Sequence, residues 1–259
     1  MAIRRRYLGE MLIDAGLLSR SQLDEALQIQ KGTGKRIGDI FKERNWVTEQ
    51  QIMEMLEFQL GMVKEYLDQG EPVVFVTMDL LPKDLLATME RFGISMDLLG
   101  KGLYVIDYHS SLLGNSDDRE PGDRGKVRRI HDLEGIMFNV ATIFEEEKRP
   151  LRIFMHTLST LFLYNQASVV LKFFQISTSR VRSEFGTAIV SVFDGVHDEK
   201  ALNHLVALAD GVLELRFDND LNRVLRVRHM RGMSVPGRWI PFEIAPGGDE
   251  TTAPVLEWK

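Results

Sequence analysis

Cysteine is missing from all 259 residues, which excludes a disulfide framework and any thiolate metal site. Long apolar runs are missing too. No stretch of about eighteen apolar residues follows the arginines Arg4–Arg6 or occurs elsewhere, so the chain is expected to be soluble and cytoplasmic, with no membrane partner. Positive charge is in deficit. Lys and Arg number 32 against 38 Asp and Glu, and the resulting net charge of −6 argues against nucleic acid as a partner.

What is present begins with a repeat. Tyr7–Gln30 and Arg36–Gln59 are one unit written twice, with KGTGK between the copies. In the first, Leu8, Met11, Leu12 and Ala15 recur at helical spacing, Gly16 supplies a helix-ending residue, and Ser19 with Gln22 forms a capping box. Leu23, Ala26, Leu27 and Gln30 continue the inner face. The second copy repeats the plan with Ile37, Ile40, Phe41, Asn45 in the glycine position, Thr48 with Gln51 as cap, and Ile52, Leu56 and Gln59. The pattern predicts a small all-helical domain over residues 1–65.

The paired form R-L-G-x-x-L-x-x-x-G followed by L-x-x-x-L-x-x-Q resembles the tandem-motif N-terminal domain of type II secretion and type IV pilus assembly ATPases, which binds cyclic di-GMP. Over residues 6–61 the resemblance implies a ligand site built from Arg6, Tyr7, Leu8, Gly9, Leu23, Leu27 and Gln30 in the first unit, and Arg36, Ile37, Gly38, Ile52, Leu56 and Gln59 in the second. Glycine at a helix N-terminus lets phosphate approach backbone N–H groups, and arginine adds a charged donor that also stacks on purines. Tyr7 stands where the pattern has its leading Arg, so Arg6 or Arg5 is the nearest charge there.

From about Gly70 the pattern changes to short apolar runs, 73–76, 103–106, 151–155 and 188–192, alternating with helical stretches at 83–92, 131–148, 158–182 and 199–209. That alternation predicts an α/β domain over 66–259 with a largely parallel sheet, ending antiparallel in strands 212–217, 224–228 and 241–244. The segment 110–129 reads as a polar loop. The runs GEPVVFVT (70–77), GLYVIDY (102–108), LRIFMHTLSTLFLY (151–164), GVHDE (195–199) with LADGVLELR (208–216), and RHMRGMSVPGRWIPFEI (228–244) resemble the KaiC-like branch of RecA-type ATPases.

Set against that family, catalytic parts differ. The phosphate loop G-x-x-x-x-G-K-[ST] is absent; Gly32-Thr33-Gly34-Lys35 is the nearest approach, with Arg36 where a hydroxyl belongs. The family's metal-binding Asp falls on His156, its acidic pair on Asp79-Leu80, and its Lys-x-Arg on His229-Met230-Arg231. These changes lead to the expectation of a chain that is not an enzyme, with no metal and no ATP-driven ring. The function expected is a cyclic di-GMP-responsive regulator, monomeric or dimeric, whose RecA-like domain engages a protein partner such as a related ATPase or a secretion or motility component. A ligand-independent adaptor and a nucleotidase using Asp79 and Asp107 are the alternatives. His197 and Asp198 are expected to start a helix rather than to bind metal.

Overall fold

The computed structural model describes residues 20–33, 49–112, 126–193, 197–217, 222–235, 237–245 and 255–258. Two helices come first, α1 (Arg20–Thr33) and α2 (Glu49–Asp68). Strand β1 (Val73–Thr77) leads through α3 (Pro82–Arg91) to β2 (Leu103–Asp107) and then β3 (Val127–Arg129). Helix α4 (Leu133–Glu147) returns the chain to β4 (Leu151–His156), and α5 (Leu158–Tyr164) with α6 (Ala167–Arg180) leads to β5 (Gly186–Val190). These five strands form one parallel sheet in the order β3-β2-β1-β4-β5.

The apolar runs are continuous rather than alternating because both faces of this sheet are covered. Val74, Val76, Tyr104 and Ile106 face a core shared with Ile136, Val140 and Ile143 of α4 and Val170 and Phe174 of α6. Val73, Phe75, Leu103, Val105 and Phe154 face the other way, onto Leu85 and Met89 of α3 and Leu56, Leu60 and Val63 of α2. Phe75 and Phe154 stack across adjacent strands, with ring centroids 6.3 Å apart.

Helix α2 therefore runs through the boundary expected at 65/66, and its inner face is part of the α/β core. Its opposite side meets a second sheet. After α7 (Glu199–Leu208) come β6 (Gly211–Phe217), β7 (Arg223–Met230), β8 (Ile240–Ala245) and β9 (Val255–Trp258), all antiparallel. The antiparallel strands anticipated at the edge of the first sheet form this separate sheet instead. Phe58 of α2 meets Phe242 edge-on, with centroids 5.6 Å apart, and both pack with Leu225.

Two local readings change. The helical stretch 158–182 is two helices, because Asn165 leaves the helical region and turns its amide back onto the Leu161 carbonyl. The end of the expected loop, Val127–Arg129, is a strand paired with β2. At β5, Gly186 sits at φ 131°, where an added Cβ would lie 2.5 Å from the Leu151 carbonyl oxygen.

Candidate functional site

From β1 the chain goes to β2 and β3 on one side and then crosses to β4 and β5 on the other. In open α/β sheets the crevice at such a reversal, at the C-terminal ends of the strands, is where ligands bind. Thr77 of β1 is in register with Asp107 of β2 and with His156 of β4, so this edge collects Asp79, Asp107 and His156.

His156 is almost fully buried. Its Nδ1 lies 2.8 Å from Oε1 of Gln59 and 3.1 Å from Oγ of Ser191. The Gln59 oxygen can only accept, and the Ser191 hydroxyl donates to the Met155 carbonyl, so both contacts assign the proton to Nδ1. Nε2 is left as a lone pair, and it faces Oδ2 of Asp79 at 3.8 Å. This is no ion pair. Burial pushes the imidazole down to about 4, so the ring is neutral at ordinary pH, and burial pushes the Asp79 carboxyl up to about 7.

Several polar atoms at this edge lack hydrogen-bond partners within the chain. Gln59 Nε2, Asp79 Oδ1 and Asp107 Oδ2 are buried without a hydrogen bond. Native interiors rarely leave such atoms unpaired, and water or a bound ligand ordinarily supplies the missing bonds. Asp107 itself is held by the Ser110 N–H at 3.0 Å and has the Arg129 guanidinium 3.7 Å from Oδ2.

Magnesium, the ion that the family's chemistry implies, takes hard oxygen donors in octahedral array. The donor at the end of β4 is an imidazole nitrogen, which does not fit that demand. Among the described residues no group of three or more His, Cys, Asp or Glu is arranged to hold a metal.

The sequence-derived site residues divide by position. Arg6, Tyr7, Leu8, Gly9, Arg36, Ile37 and Gly38 lie outside the described residues. Gln30 is on α1 and Ile52 on α2. On α1, Leu23 is buried and Leu27 exposed, whereas on α2 both Leu56 and Gln59 are buried, Leu56 in the sheet-facing core and Gln59 against His156. Sequence reasoning missed the Gln59–His156 contact, which spans 97 positions. One signal was available: a glutamine between Leu56 and Leu60 on an apolar face must find a partner.

Other singled-out residues have plain roles. Asp198 caps α7 by accepting from the Lys200 N–H, and His197 hydrogen-bonds Ser159 at 2.7 Å while packing on Phe162. Arg231, the arginine retained from the Lys-x-Arg pattern, pairs with Asp210 at 2.8 Å, which also holds Arg182. Among the described residues no helix is long and apolar enough to cross a membrane.

Comparison with known proteins agrees with this architecture. A family model described as "ATPase: KaiC" matches residues 60–253. UPF0273 proteins of Thermotoga maritima and Aeropyrum pernix are each 28% identical, over 70% of this chain and 76% and 74% of their own lengths. Two solved structures from Pyrococcus horikoshii share the fold. An uncharacterized protein in complex with an unknown peptide has a TM-score of 0.60 at 14% identity, covering 85% of this chain and 97% of its own. A KaiC-like protein has a TM-score of 0.56 at 19% identity, covering 75% and 80%. The expectation that the chain is not an enzyme is overturned by the family match, because the matched family is one of ATPases and points to that activity. With three quarters of its length matched and a parallel five-stranded sheet at its centre, this chain belongs to the KaiC family of ATPases.

Proposed function

We propose that the protein is a cytoplasmic KaiC-family regulator in which cyclic di-GMP, taken by the tandem N-terminal units, changes what the α/β domain does at the C-terminal edge of its sheet. Helix α2 supports this reading. It carries Ile52, Leu56 and Gln59 of the second unit, and through Gln59 it holds His156 at the edge. One helix thus belongs both to a repeat with a ligand-binding pattern and to the crevice where α/β sheets take their ligands. Leu56 and Gln59 are committed to the α/β core, so a ligand that recruits them must compete with that docking. The signal is then the difference in ligand affinity between the docked and released helix, and no more.

Calorimetry on the full chain tests the reading. Cyclic di-GMP is expected to bind with one molecule per chain, and Arg36→Ala to weaken it by about 1.5–3 kcal/mol through loss of a charge-assisted contact. ATP affinity measured with and without cyclic di-GMP should differ by about fivefold or more if the sites are linked. Absence of saturable heat at high micromolar cyclic di-GMP overturns it.

A second reading, a ligand-independent adaptor for a secretion, pilus or motility ATPase, draws on a different observation. Leu163 and Tyr164 of α5 and Val169 and Ile176 of α6 are exposed apolar side chains on consecutive helices. A Pyrococcus relative of the same fold was solved with a peptide bound. The cyclic di-GMP titration separates the two readings.

A further inference from the structure

The antiparallel sheet has two unlike faces. Leu225 and Phe242 turn inward onto Phe58 of α2, with Leu215 packed beside them. Residues of the opposite parity turn outward. Register sets Glu214 against Arg226, Arg216 against Val224 and Val224 against Pro241, so the outer face carries Glu214, Arg216 and Arg226 together. Trp239, just before β8, has the Arg216 guanidinium carbon 3.9 Å and that of Arg226 4.5 Å from its ring centroid. Cation–π contact holds both groups in place without cancelling their charge. Arg226 and Arg228 also share one carboxylate: Glu214 accepts from Arg226 Nε and, at 3.1 Å, from Arg228. Arg216 is exposed and has no acidic partner among the described residues. Three guanidinium groups thus stand against a single carboxylate, in a chain whose net charge is −6.

We propose that this outer face binds a short acidic segment of a protein partner, whose carboxylates take the arginine donors that Glu214 leaves unsatisfied. Arginine presents paired N–H donors that match a carboxylate, and Glu214 already engages two of these side chains in that way. Charge complementarity therefore selects the occupant. The attraction is local, because a surface field fades within about 8–10 Å at physiological salt, so the acidic remainder of the chain does not cancel it. Nucleic acid fits the face less well. Its phosphates continue in both directions, whereas this basic stripe stops at Glu243, two residues along β8 from Pro241 on the same face. The indole that would stack a base already carries two guanidinium groups. Glu214 is a built-in competitor for the incoming carboxylates, so its removal should strengthen binding. The inference concerns the second sheet and does not rest on cyclic di-GMP or on the edge around His156.

The test is fluorescence anisotropy of a fluorescein-labelled Glu-rich peptide titrated with the full-length protein at about 50 mM salt, where surface charge is only weakly screened. The Gln-rich counterpart and a single-stranded DNA oligonucleotide are run beside it. Wild type should bind the Glu-rich peptide, lose affinity as salt rises, and leave the Gln-rich peptide unbound. Arg216→Ala should weaken binding by about two- to fivefold, Arg216→Glu should weaken it further, and Arg216→Lys should keep most of it. Glu214→Gln should tighten binding by a similar factor of about two to five, an effect that a purely structural role for Glu214 would not produce. Lys172→Ala, which removes an exposed charge on α6, should change nothing. Circular dichroism checks that each variant is folded, and the near-isosteric Glu214→Gln decides if Arg216→Glu is not. Wild type without saturable binding of the Glu-rich peptide, folded Glu214→Gln with unchanged affinity, or an oligonucleotide bound more tightly than the peptide overturns the proposal.

Discussion

Leu60→Ala tests whether α2 is part of the α/β core. Leu60 has no exposed surface and packs with Val63, Val73, Phe75, Leu85 and Phe154, on the face of the sheet that α2 and α3 cover. Removing a buried leucine side chain to Cβ costs its transfer free energy plus the cavity left behind, together about 2–5 kcal/mol. For a domain of about 150–250 residues each kcal/mol moves the melting temperature by about 2–4 °C, so a drop of roughly 4–20 °C follows. Leu27→Ala, on the exposed side of α1, is the control and should move it little. Urea and thermal unfolding by far-UV circular dichroism gives the size of the effect. Hydrogen exchange of the β1 peptide Val73–Thr77 gives its location, because strand amides beneath a loosened helix exchange faster. If Leu60→Ala stays within about 0.5 kcal/mol of Leu27→Ala and β1 protection is unchanged, α2 does not cover the sheet.

Two further outcomes are expected. Gly186→Ala should cost about 1–3 kcal/mol or more, since it combines a strained φ with a Cβ clash against the backbone of Leu151; urea melts unchanged from wild type would contradict this. The Tyr104 phenol, pushed up to about 12 by burial and by its hydrogen bond to Glu147, should ionise well above the ordinary tyrosine range in an ultraviolet pH titration. Because the folded value lies above the unfolded value near 10, its contribution is present in full below pH 10 and is lost as pH rises through about 12. Glu147→Gln should bring that ionisation to lower pH, and an unchanged titration curve would reject the contact.

The parallel sheet was legible because strands buried on both faces are written as unbroken apolar runs, as in VVFVT and LYVID. Strand β3 was not, since three residues, two of them arginine, carry no period. The break between α5 and α6 lacks the glycine or proline that usually marks one; Asn165 ends the helix by its own side-chain bond to Leu161. At the site, His156 and Asp79 could be located by resemblance, but their meeting across β4 and β1 and the buried glutamine behind them depend on register between distant segments. The repeat concealed the role of α2, because Leu56 and Gln59 fit the repeat's pattern and the sheet-covering pattern alike.

Helix α2 is keyed on three sides: Leu60 and Val63 into one sheet, Phe58 onto Phe242 of the other, and Gln59 to His156. An α-helix turns about 100° per residue, so inserting or deleting a single residue between Leu60 and Val63 swings Phe58, Gln59 and Leu60 together out of phase with Val63 and the sheet that follows. The shortest change that restores the phase closely is about seven residues, near two full turns, and it displaces the upstream unit by about 10 Å. The spacing between the repeat and the sheet is therefore as fixed as a gear ratio. Replacement of side chains on this helix leaves evolution many routes, whereas a change in its length leaves very few.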